Sequence, residues 1–193
     1  MHWRVPRRPG SRPDAAWLTA LVENLALTGP EGQAAVGYLD KHRVKLNTKR
    51  QSTAARWTLG RQIQIHPRYA DGPADAPYAL SLIVHEIRHL QQGPYTALSV
   101  YGELDAWQAQ FRFLKQLTGQ FHEAPFHAET IASLMSLPKG LDRPTLERAR
   151  TLMRRYAGDK YRIDLLPLFP LPSELAFWLG HLGAARGAGT QQN

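Results

Sequence analysis

Residues 78–93 read YALSLIVHEIRHLQQG. Leu80, Ile83, Ile87 and Leu90 recur at three- and four-residue intervals, the period of a helix that buries one face. Gly93-Pro94 is a stop signal. The same predicted helix carries His85, Glu86 and His89. Side chains four apart stand one turn above each other, so both imidazoles can point at a single ion. Glu86 lies about 100° around from His85, within reach of a water on that ion. Neutral imidazoles suit Zn²⁺, which lowers the pKa of its water toward about 7, and a neighbouring carboxylate can take that proton. This is the chemistry of a His-Glu-x-x-His helix. The competing reading is an apolar helix whose histidines bond to backbone or water. It is disfavoured because burying two imidazoles and a carboxylate without partners is costly.

A catalytic zinc requires a third protein ligand and an open position. The next predicted helix, covering roughly 98–118, contains YGELDAWQAQF at 101–111. Thirteen residues separate His89 from Glu103, with the Gly-Pro stop between them. At 1.5 Å per residue an antiparallel return brings the two to similar height. Asp105 competes for the role but, two residues along a helix, faces well away from Glu103. Glu103 is favoured because Ala106 then falls on its side and lets the helices approach.

HEIRH at 85–89 followed by ELDA at 103–106 resembles the gluzincin group of zinc metallopeptidases, in a minimal single-domain form. Their third ligand is a glutamate on a later helix, written Glu-x-x-Ala. GRQIQIHPRYA at 60–70 also looks like the edge strand that precedes their active-site helix. The resemblance spans roughly residues 43–118. It implies a zincin-like α+β fold, mostly helical, with a small antiparallel sheet beside the His-Glu-x-x-His helix. It implies one Zn²⁺ on His85, His89 and Glu103, Glu86 as general base, and a peptide or protein substrate paired along the edge strand. Two features depart from the pattern. Trp107 stands where several gluzincins carry an aspartate, so an acid orienting a ligand imidazole must be Asp105 or come from elsewhere. Gly102, just before Glu103, weakens a helix and marks either its start or a close backbone approach. For the oxyanion role Tyr101, His122, His127, Tyr156 and Tyr161 are candidates, and spacing does not select among them.

The rest of the chain sets bounds. Its 193 residues can bury one substantial core. We expect a flexible basic segment at 1–13, one zincin-like domain at 14–184 and a flexible tail at 185–193. With no cysteine, disulfides, thiolate metal sites and a cysteine nucleophile are excluded, while eight histidines are at hand. Further helices are expected in PDAAWLTALVENLALTG, PEGQAAVGYLDKH, FHAETIASLMSL and DRPTLERARTLMRRYAG, and a short apolar one in the tail. VKLNTKR and RWTLGRQIQIHPRYA alternate as strands. No segment has the roughly 18–20 apolar residues of a membrane span, and no secretory signal is seen, so a cytoplasmic protein is expected. The net charge of +8 is clustered. Residues 41–70 hold eight Lys or Arg and no acid, a pattern of solvated surface or of a nucleic-acid or acidic partner. Two further readings therefore stand beside the hydrolase. One is a catalytically inactive zincin-like binding or regulatory module using that basic surface. The other is a purely structural zinc, which would need a fourth protein ligand.

Overall fold

The computed structural model describes residues 13–121 and 125–176. Helices dominate, joined by a three-stranded sheet, so the chain is α+β and mostly helical. In order come α1 (Pro13–Ala26), α2 (Pro30–Lys41), β1 (Lys45–Thr48), β2 (Ala55–Thr58) and β3 (Gln62–Ile65). Then follow α3 (Pro77–Gln92), a single turn α4 (Pro94–Ala97), α5 (Val100–Thr118), α6 (Pro125–Met135) and α7 (Arg143–Ala157). Short 3-10 turns at Ile163–Leu165 and elsewhere lead into an extended stretch, and the chain is helical again from residue 171 to 176. Of the expected flexible ends, 1–12 and 185–193 lie outside the described residues, as do 177–184 of the expected domain, where most of the apolar tail helix was placed.

Local signals explain the boundaries. Proline occupies the first turn of α2, α3, α4 and α7, where its missing N–H costs nothing. Ser99 caps α5 by accepting from Gly102 N–H at 3.0 Å, and Asp142 caps α7 through Thr145 N–H at 2.9 Å. The second long helix thus begins at Val100, after the separate turn α4.

The sheet departs from the expected antiparallel arrangement. Its order is β1-β3-β2, with β2 antiparallel to β3 but β1 parallel to it. Residues 49–54 carry the chain past the slot later filled by β3 to the far edge. β3 holds the central position because Ile63 and Ile65 are fully buried and pack inward. The strand resembling an edge strand is therefore interior, and β2 forms the outer edge on the side of α3.

α3 packs chiefly on α5, and the pairs Ser81–Gln110, Arg88–Asp105 and Gln92–Gly102 show that they run antiparallel. Two apolar clusters flank this pair. One joins Leu21, Leu25, Leu39, Ile63, Ile65, Ile83, Ile87 and Phe113. The other joins Leu104, Trp107, Phe111, Ile131, Leu134, Leu146 and Met153. Each fully buried Leu, Ile or Phe contributes about 1.5–3 kcal/mol, so α3 and α5 are fixed from both sides. Ala106 on α5 is fully buried, and Gly102 packs closely on the preceding turn α4. A Cβ on Gly102 would lie 2.8 Å from the carbonyl carbon of Thr96 and 3.0 Å from Ala97 Cα, inside any tolerable contact. The extended stretch after Leu165 then closes the start of α5, where Val100 N–H donates to Pro167 O at 2.9 Å and Tyr101 N–H to Leu168 O at 3.2 Å. Among the described residues no helix is long and apolar enough to cross a membrane.

Candidate metal centre

His85 and His89 occupy successive turns of α3 and face α5 across from Glu103. Their Nε2 atoms stand 3.0 Å apart. Glu103 Oε1 lies 3.5 Å from His89 Nε2, and Glu103 Oε2 lies 3.8 Å from His85 Nε2. An ion held tetrahedrally at about 2.0–2.2 Å spreads its donors about 3.3–3.6 Å apart, so the three separations bracket the spacing a zinc-sized ion needs. The donor set also fits: two imidazole nitrogens and one carboxylate oxygen, with no thiolate in the chain. Among the described residues no fourth His, Asp or Glu joins the group.

Each group's ionisation follows from its neighbours. Burial, helped by the charge of His89, pushes the His85 imidazole well below its usual range, against the pull of Glu103 and Gln110. Burial opposes a charge on His89 too, but the Glu103 carboxylate and its hydrogen bond, with Glu86 and Gln92, outweigh it and raise the pKa. Glu103 is correspondingly lowered: the penalty of burial is overcome by His89, His85 and the Tyr161 hydroxyl. The raised imidazole and the lowered carboxyl favour the charged pair His89–Glu103. The Nδ1 of His85 is buried with no partner at hydrogen-bond distance, and Gln110 is the polar side chain beside it.

Glu86 is 4% exposed and points to the other side of His85, into a cavity of about 280 Å³ that both residues line. Burial and the nearby Glu103 carboxylate push it up to about 7, with His89 and the backbone N–H of Trp57 on β2 pulling the other way. A carboxyl poised near neutrality can both accept and return a proton. Tyr78, Trp107, Phe111, Tyr156 and Tyr161 supply the aromatic walls of this cavity, and residues 52–55 leading into β2 form its rim.

Tyr161 donates to Glu103 Oε2 at 2.5 Å and accepts from Trp107 Nε1 at 2.9 Å. Trp107 thus braces the Glu103 carboxylate through Tyr161. Of the oxyanion candidates, His127, Tyr156 and Tyr161 line the cavity, Tyr101 does not, and His122 lies outside the described residues. Asp105 points away from the imidazoles and accepts from Arg88 Nε at 2.5 Å, Lys139 Nζ at 2.6 Å and Gln92 Nε2 at 2.9 Å. These bonds overcome the penalty of burial and hold its carboxyl down at about 2.

Sequence reasoning missed Gln92, and it named Tyr161 only as an oxyanion candidate. The bond from Tyr161 to Glu103 carries no local signal, the two being 58 residues apart. Gln92 was findable, since it lies one turn beyond His89 on the same face. No protein-family model, curated protein or solved structure matches this chain.

Proposed function

We propose that the chain is a zinc-dependent hydrolase of zincin type, acting on peptide bonds. The observation that carries this reading is the convergence of His85, His89 and Glu103 beside a buried carboxylate, Glu86, that opens into a cavity. A bound zinc ion would supply Lewis acidity toward a carbonyl oxygen and toward water. Glu86, at about 7, takes a proton from the attacking water and delivers it to the departing amine. The outer edge of β2, whose Trp57 N–H already faces Glu86, offers backbone groups to an extended chain lying across the site. The aromatic cavity then receives a substrate side chain. The order of elements supports the zincin reading: sheet, His-Glu-x-x-His helix, then the glutamate helix. Among the described residues the donor group has three members, which argues against a purely structural metal, normally held by four protein ligands.

The test is metal content together with hydrolysis of a mixed peptide library. Glu86→Gln is expected to keep one Zn²⁺ per chain and to lose about 10²–10⁴-fold in rate. Full activity in that variant would refute the assignment.

A binding module is the second reading, favoured by one observation. The cations Lys41, Arg43, Lys45, Lys49, Arg50, Arg56, Arg61 and Arg68 are exposed, and none forms an ion pair among the described residues. Salt-sensitive nucleic-acid binding that survives His85→Ala, without hydrolysis, would favour it.

A further inference from the structure

We infer that Gln92 and Asp105 act together as a positioning device for His89, an amide interposed between a carboxylate and the imidazole. The inference rests on reading His89 as a metal ligand. Gln92 Oε1 lies 3.2 Å from His89 Nδ1. Its amide nitrogen donates to Gly102 O and to Asp105 Oδ2, both at 2.9 Å. Those two acceptors are a carbonyl and an ionised carboxylate, and neither can donate. Both amide hydrogens are thus committed, and turning the amide over would set its oxygen against two other oxygens. Gln92 must therefore present an acceptor to His89. The Nδ1 must carry hydrogen, which leaves Nε2 as the nitrogen able to bind an ion.

Asp105 is the fixed end of the device. Arg88 and Lys139 each hold one or other of its oxygens, from α3 and from the segment after α6. It cannot rotate away without leaving two cations unpaired. Asp105 and His89 are joined through the Gln92 amide, which bridges the gap between them. A directly bonded carboxylate orients a ligand histidine and also raises its basicity. Here the amide orients while the negative charge stays one residue removed, beside two cations. His89 is fixed by a neutral acceptor, which enriches the ring less than a directly bonded carboxylate would.

The device can be tested on the full chain with two readouts. Zn²⁺ affinity is measured by competition with a chromophoric chelator. The His89 Nδ1–H is followed in ¹H–¹⁵N spectra of protein labelled at histidine, where a buried, hydrogen-bonded ring proton exchanges slowly. Gln92→Leu is expected to weaken zinc binding about 10–100-fold and to lose the protected proton, with helix content unchanged. Gln92→Glu should fail to rescue either, because its second oxygen faces Gly102 O and Asp105. In Asp105→Asn one of the two acceptors that commit the Gln92 amide is replaced by a group that can also donate. The amide is then held less firmly, and both readouts should fall in the same direction. Should that variant fail to fold, Gln92→Leu alone decides. Zinc affinity within threefold of wild type and an intact Nδ1–H signal in Gln92→Leu would overturn the inference. A wild-type protein that binds no zinc, yet shows the Gln92-dependent proton, would sink the metal reading and leave the positioning device standing.

Discussion

Tyr161→Phe isolates one hydroxyl with two known partners. The phenol oxygen donates to Glu103 Oε2 and accepts from the indole N–H of Trp107, itself a buried residue. Phenylalanine keeps the ring and its edge-on contact with Trp107, whose centroid is 5.3 Å away, so packing is nearly conserved. Glu103 loses a hydrogen bond to an ionised group, worth about 1.5–3 kcal/mol, and the stranded indole N–H costs about 1–3 kcal/mol. The two losses share one oxygen and are not independent, so we expect a destabilisation of about 3 kcal/mol in the metal-free protein. At this chain length that lowers Tm by about 6–12 °C. Urea unfolding measures it directly, with an unchanged m-value to show that the unfolded state is the same. In the Trp107→Phe background no indole remains to be stranded. The cost of removing the hydroxyl should then shrink by about 1 kcal/mol or more. A loss below about 1 kcal/mol in the wild-type background would mean that the hydroxyl does not brace Glu103, and the account of Trp107 would fall with it.

Other perturbations address neighbouring parts of the site. Zinc loading at pH 7 should release about one proton from His89, and a further fraction from Glu86 at about 7, because the cation displaces charge that the metal-free site holds as protons. Calorimetry in buffers of different ionisation enthalpy counts them, and release near the roughly 0.2 expected of an ordinary histidine would refute the coupling to Glu103. Gly102→Ala should cost about 3 kcal/mol by forcing α5 away from Thr96 and Ala97, read from denaturant unfolding; a neutral change would show that the turn yields. Asp105→Asn tests the hub by its pH dependence. The folded carboxyl, at about 2, is depressed below its ordinary value of 3.8, so its stabilisation is present above about pH 4 and is lost as pH falls toward 2. The variant should be the less stable protein at pH 7, with the gap closing toward pH 2, and a pH-independent gap would point to lost packing instead.

What was legible in the sequence follows the range of the forces involved. The α3 helix, its stop at Gly93 and the shared face of His85 and His89 depend on periodicity and local stereochemistry, and the structure has them where the spacing puts them. Choosing Glu103 over Asp105 needed only helical geometry and a short connection, and Glu103 is the one that meets the imidazoles. Gly102 proves to be both things its position suggested, a residue of the first turn of α5 and a point of close backbone approach. The sheet was misjudged because alternation marks a strand without naming its neighbour. Only the burial of Ile63 and Ile65 placed β3 in the centre and left β2 at the edge. Tyr161 and Lys139 reach the site from loops after α7 and after α6, and no spacing rule connects them to their partners.

One helix keeps two carboxylates apart in role. Glu103 and Asp105 lie two residues apart on α5, and two anions this close to the proposed cation site would both be drawn to it. Their permanent partners divide them. Asp105 has its oxygens occupied by the cations Arg88 and Lys139. Glu103 is paired instead with a titratable imidazole and a neutral hydroxyl, partners that can yield a lone pair or a proton when a metal arrives. The cations thereby select which carboxylate is exchangeable. Removing them tests this: Arg88→Met with Lys139→Met should leave Asp105 as an uncompensated anion beside Gln92. It would then protonate at a higher pH, and zinc affinity would fall although no ligand has been touched. Unchanged zinc affinity in that double variant would show that the helix geometry alone separates the two carboxylates, with charge playing no part.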